Sequence, residues 1–496
     1  MRPIGAYVRA GIDVGSIRNS RLLRHVAELH CFGGPFDEFH NKRYGSLCDA
    51  ELTHLCAIIK QSKSLTGIRL SNNLISDKGA SEFAEAIKQS KSPLATVDLR
   101  SNQIGNVGAS AIAEAIAQST SLTSVDLSDN GIGAVGASAI AEAIKQSQSL
   151  TTVDLSSNAI GDIGAAAIAE AIKQSKSVTD MNLGRNSIRH KGASYIAEAI
   201  KQSTSLTKVN LCGNAIGDVG ASYIAEAITK NTSLIFVDLG HNSIESTGIS
   251  TIAEAIKQSR LISTVDLSGN NFGCKGTSAV AEAIKQSTSL TALLLAKISI
   301  DTVGVVAIAE AIKQSKSPLT TVDLVLNGIE SEGAIALAEA IAQSKSLTSV
   351  MLENNSVGDK GASAIAEAVA QSTTMTTLCL HGNSIGDTGA IAIAKAIKQH
   401  KSLATLNLSV NQIGNAGTIA IAEAVQQNKS LTTLDLSSNT ISASGGIAIA
   451  EAIRQNRSLK HIDIGANSIG PEGVEAIEKA TKENKYLLKM AMDCDW

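Results

Sequence analysis

The sequence predicts an α/β fold of the solenoid kind, in which short parallel strands line one face of a stack and helices line the other. Three observations predict it. The stretch LTTVDLSSNAIGDIGAAAIAEAIKQSK at residues 150–176 returns in close copies from about residue 64 to the C-terminus. Its first part sets Val153 and Leu155 two apart around Asp154, the alternation of a strand with one buried face, and its Ala-rich second part, with Ile168, Glu170 and Ile172, has the composition of a helix. The Asn that closes the strand recurs at a fixed interval of 28 residues from Asn130 through Asn158, Asn186, Asn214 and Asn242 to Asn270.

Each element follows from this register. The series continues through Asn327, Asn355, Asn383, Asn411, Asn439 and Asn467, and with Asn73, Asn102 and Ile298 in the same place it gives 15 copies. Two intervals stretch to 29, and both contain an added proline, Pro93 or Pro318, which suits a helix-to-strand loop because proline lacks a backbone donor. One strand and helix cannot bury an apolar face alone, whereas stacked copies share one continuous core. The Asn amide is expected to satisfy backbone groups left by the turn. The unbroken glycine column Gly79, Gly108, Gly136, Gly164 onward to Gly473 predicts either a positive φ or a close backbone approach before the helix.

The pattern LxxVxLxxNxI followed by a Gly-Ala-rich helix, at this period, resembles the leucine-rich repeat in its long ribonuclease-inhibitor-like subtype. That subtype is also found in Ran GTPase-activating proteins and in the repeat domains of NOD-like receptors. The resemblance covers residues 64–492 and implies a horseshoe with strands on the concave face, helices on the convex face and a protein partner in the hollow. Helices are wider than the strand spacing of about 4.8 Å, and this also predicts curvature.

Composition agrees. A chain of 496 residues exceeds an ordinary single core, but a linear core has no such limit. Aromatics are 2%, so aliphatic side chains and Ala must fill the interior. A net charge of -3 without a Lys/Arg stripe argues against nucleic acid, and no run approaches a membrane span of about 18 apolar residues. Arg9 and Asp13 interrupt what a signal peptide would keep apolar, and the seven cysteines are scattered singly. A cytoplasmic protein without cofactors is the expectation.

In order, residues 1–46 form a non-repeat, partly disordered segment, within which residues 21–30 have the spacing of a short amphipathic helix. Residues 47–63 supply an N-terminal capping helix, residues 64–485 the fifteen repeats, and residues 486–496 a capping strand with Leu487, Met490 and Met492 in core places. In that strand Asp495 takes the Asn place, and Trp496 covers the open end. His25, His30, Cys31, His40, Cys48, His54 and Cys56 gather near the N-terminus, yet their spacing matches no zinc module, and an ordinary cap is the reading. On the helix side Glu142 with Lys145, Glu170 with Lys173 and Glu198 with Lys201 form solubilising pairs.

The strand side chains that miss the core form a mostly acidic column, including Asp98, Asp126, Asp154, Asp238, Asp266, Asp323, Asp435 and Asp463. It is either a track for a basic partner or the default residue of the repeat, its repulsion relieved by neighbouring Ser and Thr. Departures from it carry more information. Between residues 290 and 381 the strip becomes Leu294 with Lys297, then Val325 and Leu326, then Met351 and Glu353, then Cys379 and His381, and Ile298 displaces the Asn and its hydrogen bonds. An apolar patch rimmed by charge is the anatomy of a protein-binding spot. A smaller departure holds Lys208 and Phe236, with Asp180, Arg185 and His241. No GxxxxGK[ST], HExxH or CxxC occurs. The reading is a non-enzymatic interaction scaffold, with signalling or innate-immune-type recognition as its expected setting. The alternatives are a GTPase activator similar to the Ran-activating family, which this chain resembles without that family's acidic tail, and a self-associating structural protein.

Overall fold

A computed structural model describes residues 6–9, 28–32, 36–37, 42–43 and 47–492, and the chain divides into two compact units, Met1–Ser243 and Ile244–Trp496. In the first unit, helix Asp49–Gln61 precedes a regular alternation that begins with strand Gly67–Arg69 and helix Asp77–Gln89 and runs to strand Phe236–Asp238. In the second, the same alternation runs from helix Ser246–Gln258 and strand Thr264–Asp266 to helix Gly470–Glu483 and strand Lys489–Ala491. Repeat strands are parallel and in register, so Val125 stands opposite Val153 in one unit and Leu293 opposite Val322 in the other. These central residues are buried, together with the Ala and Ile of each helix, and they form the aliphatic core that the composition demands.

The strands are three residues long because the chain turns sharply after them. In all fifteen repeats the residue before the ladder position has a positive φ, from Asn72 at 58° through Ser157 and Leu326 to Ala466 at 50°. The turn aims backbone carbonyls at the next side chain. Fully buried Asn186 donates its Nδ2 to Leu155 O, Leu183 O and Gly184 O at 2.8, 3.2 and 3.1 Å, and its Oδ1 accepts the Ile160 N–H. Asn355 does the same in the second unit with Leu324 O, Leu352 O and the N–H groups of Asn327 and Ile329. Each amide therefore ties its own turn to the preceding repeat.

At Ile298 the loss is partial. Its own N–H donates to Asn327 Oδ1 at 3.0 Å, and Asn327 Nδ2 reaches back to Leu295 O at 2.8 Å, so the following rung covers this turn.

The glycine column answers to packing. Gly164 lies within helix Gly161–Gln174 and is not among the residues of positive φ, which corrects one of the two sequence-based explanations. A Cβ there would stand 2.4 Å from Ile160 Cγ2 and 3.0 Å from Ala137 Cβ of the preceding repeat. Beside several of these glycines lies a helix cap that sequence reasoning missed. Asp77 opens its own helix, yet its Oδ1 accepts the N–H groups of Gly105 and Gly108 at the start of the next one, at 2.6 and 2.8 Å. Asp162 caps the helix that begins after Arg189, and Asp359, Asp387 and Asn415 do the same in the second unit. A carboxylate at a helix N-terminus satisfies orphan donors and meets the positive end of the dipole.

Ahead of the repeats, strand Glu28–Phe32 pairs in parallel with Gly67–Arg69, and strand Ala6–Arg9 pairs with Glu28–Phe32. The helix expected over residues 21–30 is thus corrected at residues 28–30, which are strand, while residues 21–27 lie outside the described residues. Backbone pairing with an open sheet edge overrides a helical spacing in so short a segment. His25 and His40 of the histidine–cysteine group also lie outside, as do Asp495 and Trp496. Strand Lys489–Ala491 pairs with His461–Asp463, and Leu487, Met490 and Met492 are only half-buried.

Replacing Asn186 with Ala strands several buried backbone groups and is expected to cost about 1–3 kcal/mol in chemical unfolding. Gly164→Val is expected to lower stability by about 1–3 kcal/mol through overpacking against Ile160 and Ala137, read as an earlier denaturation midpoint.

Candidate protein-binding face

The acidic column has a local task. Asp126 Oδ1 accepts the Ser128 N–H at 2.9 Å and its hydroxyl at 2.6 Å, closing the turn two residues on. Asp154, Asp266, Asp323, Asp435 and Asp463 make the same backbone bond, as do Asn182 and Asn407. Burial pushes the Asp126 and Asp323 carboxyls above their ordinary value, aided by Asp154 and Asp98 in one case and Asp266 in the other and opposed by the turn hydrogen bonds. Where Asn182 follows Asp154, its Nδ2 donates across the strands to Asp154 Oδ2 at 2.8 Å. Most of the column is explained by these turns.

Against that default, strands Ala292–Leu294, Ser349–Met351 and Thr377–Cys379 of the second unit lack the acceptor, while Asp323 between them keeps it. Register places Leu294 opposite Asp323, Asp323 opposite Met351 and Met351 opposite Cys379. The stranded donors find substitutes. Ala296 N–H goes to Ser268 Oγ at 3.2 Å, and the Glu353 carboxylate takes its own backbone N–H.

Glu353 is the centre of a small polar cluster. The Cys379 thiol donates to it, and burial first and Glu353 second push that thiol up to about 12, so it is not a nucleophile at neutral pH. Burial, then the charge of Asp323, pushes the Glu353 carboxyl upward against the pull of its hydrogen bonds and of His381. Its Oε2 is shut off from solvent and has no hydrogen-bond partner. His381 turns its Nδ1 to Ser409 Oγ at 2.7 Å, away from any nucleophile pairing with Cys379. Among the described residues no group of three or more His, Cys, Asp or Glu could hold a metal ion.

Beside this row runs the left-handed column. Lys297 and Leu326 occupy it with φ of 55° and 56°, and their N–H groups donate to Val325 O and Glu353 O. Leu326 is 52% exposed, so the strain of a γ-branched residue there is not offset by burial. Val410, at φ 51° and 47% exposed, repeats the arrangement beyond His381 and was missed by the sequence reading, because its unusual feature is a backbone angle.

The remaining two candidates sit in the first unit. Lys208 pairs in register with Phe236 and with Asp180, whose carboxylate is 3.9 Å from its Nζ. Arg185 lies over Gly213, where a Cβ would meet its Cγ at 2.8 Å.

Leu326→Asn is expected to stabilise the protein by about 1 kcal/mol, since Asn tolerates the left-handed region, and denaturant unfolding would read the gain. For Glu353 the native carboxyl holds its proton to higher pH than the unfolded one. The native state therefore binds more protons across that window, and stability falls as pH rises through it. Glu353→Gln is expected to raise the thermal midpoint at pH 7 and to lose that advantage at a pH below the ordinary carboxyl value of 4.5.

The comparisons with known proteins bear on the fold. No curated protein matches the chain at a significant level. The crystal structure of a TLR13–ssRNA13 complex contains a chain of similar fold, with a TM-score of 0.53 and 16% identity, and the match covers 89% of this chain and 60% of that one. The family described as Leucine Rich repeat matches residues 91–113, 118–141, 146–169, 202–225, 230–253, 315–338, 343–366, 371–394, 399–422, 427–450 and 455–477. Matched over more than half its length by that repeat, and folded as a stack of strand–turn–helix units, the chain belongs to the leucine-rich-repeat family.

Proposed function

We propose that the chain is a non-enzymatic interaction scaffold that binds a partner protein on the strand face of its second unit. The site comprises Leu294, Lys297, Val325, Leu326, Met351, Glu353, Cys379 and His381, extended by Val410. One observation carries the reading: three of four consecutive strands give up the Asx acceptor and present Leu294, Met351 and Cys379 instead. Less polar side chains on three of four neighbouring strands, beside an exposed Leu326 held in a costly conformation, favour a surface kept for contact. Lys208 and Phe236 form a second, smaller contact on the first unit. A cytoplasmic setting suits the free thiols of Cys48, Cys56, Cys274 and Cys379, and among the described residues no helix is long and apolar enough to cross a membrane.

The test is a pull-down with the purified chain beside a variant carrying Leu294→Glu, Leu326→Glu and Met351→Glu, both first matched by circular dichroism. A partner held by the parent and reduced at least ten-fold on the variant is the expected outcome. Equal capture by both would remove this face as the site.

A further inference from the structure

The orphan oxygen of Glu353 specifies more than an apolar contact. A buried carboxylate oxygen without a donor is costly, and native structures retain such atoms mainly where another molecule or a functional constraint completes them. Among the described residues, the side-chain donor to this carboxylate is the Cys379 thiol, a weak one, and His381 is the group whose charge favours its ionised form. Asp323 opposes it, and Asp266 in turn acts on Asp323, so the ground around Glu353 is anionic and short of donors. Met351 ends the strand two residues before it, and the Leu326 N–H donates to Glu353 O, so the apolar residues and the carboxylate belong to one spot. The terminal torsion of a glutamate is broad, and turning it exchanges the two oxygens at little cost.

Resting on the reading of this face as a protein-binding site, we propose that the partner protein presents a basic side chain, best an arginine, next to a large apolar one. The cation ends on the Glu353 carboxylate while its apolar neighbour lies on Leu326 and Met351. A guanidinium brings charge and a donor to a half-buried carboxylate that is short of donors, and the apolar cover excludes water and strengthens the pair. Arginine beside aromatic or aliphatic anchors is also what interface cores concentrate.

The probe is a library of random dodecapeptides displayed on phage and selected against the full chain. Selection on the parent is expected to enrich peptides with Arg or Lys within two positions of Leu, Ile, Met or Phe. A synthetic copy of an enriched peptide is expected to bind Glu353→Gln about ten-fold more weakly than the parent. Replacing its basic residue with Ala should cost a similar factor on the parent and little more on Glu353→Gln, the non-additivity that marks a direct pair. Glu353→Gln relieves the orphan carboxylate, so matched circular dichroism is expected. Peptides lost on the Leu294→Glu, Leu326→Glu, Met351→Glu variant but binding Glu353→Gln as tightly as the parent would overturn the cationic partner and leave the face intact. Peptides bound equally by the parent and the triple variant, or no enrichment on the parent, would overturn the face and the cationic partner together.

Discussion

A buried asparagine amide that serves two repeats at once is the interaction on which the rest of this fold depends. Three carbonyls of the turn converge on Nδ2 of Asn186, two from its own repeat and one from the repeat before, while Oδ1 takes a backbone N–H of that earlier repeat. Without it the turn would bury polar backbone at a net loss. With it the strand can end after three residues, and the left-handed residue ahead of the Asn becomes a fixed feature of every copy. The bond points backward along the chain. The Asp77-type cap points forward, from the first turn of one helix to the first turn of the next. A repeat that has both therefore draws polar partners from both sides, and the aliphatic core needs only to fill the space those bonds define.

That economy makes exceptions visible. An Asx side chain at the end of the strand satisfies one N–H, so Leu294, Met351 and Cys379 each displace a working hydrogen-bond acceptor. The structure patches the gaps with Ser268 Oγ and with Glu353 itself. The patch at Glu353 is incomplete, because it brings a carboxylate beside Asp323 and leaves an oxygen unsatisfied. A worn copy of a repeat would lose bonds at random. Here apolar residues, a strained exposed Leu326 and an underused carboxylate fall in neighbouring repeats, on the strands and the turns that follow them.

The fold was legible because its signal repeats. A period of 28, an apolar alternation and an Asn in each turn define strand, turn and helix with little freedom left. The site was legible only as residue identities: Leu326 and Met351 stand out by comparison with Ser157 and Asp154, but their exposure, φ and hydrogen bonds do not. Gly164 shows the limit well. Its column announces a constraint, yet one letter cannot separate a positive φ from a crowded Cβ, and coordinates are needed to find Ala137 against it. Asp77 was invisible as a cap because its partners are a whole repeat away, beyond any local capping pattern. Near the N-terminus a helical spacing lost to a sheet edge, since strand pairing is a long-range event that a ten-residue window does not contain.

The forward-pointing cap has a consequence for how such a chain can change length. Where neighbouring repeats both carry the cap, as at Asp359 and Asp387, excising one whole period removes a carboxylate together with the helix that carried it, but brings the preceding Asp up against a helix start of the same design. Such a junction is chemically equivalent to the one it replaces. Cutting at any other spacing leaves a helix mouth without its anion and a turn without its amide. Gains and losses of genetic material are thus filtered by backbone hydrogen bonding into multiples of one period, and the 29-residue intervals around Pro93 and Pro318 fit because their extra residue falls in the loop, outside both sets of bonds.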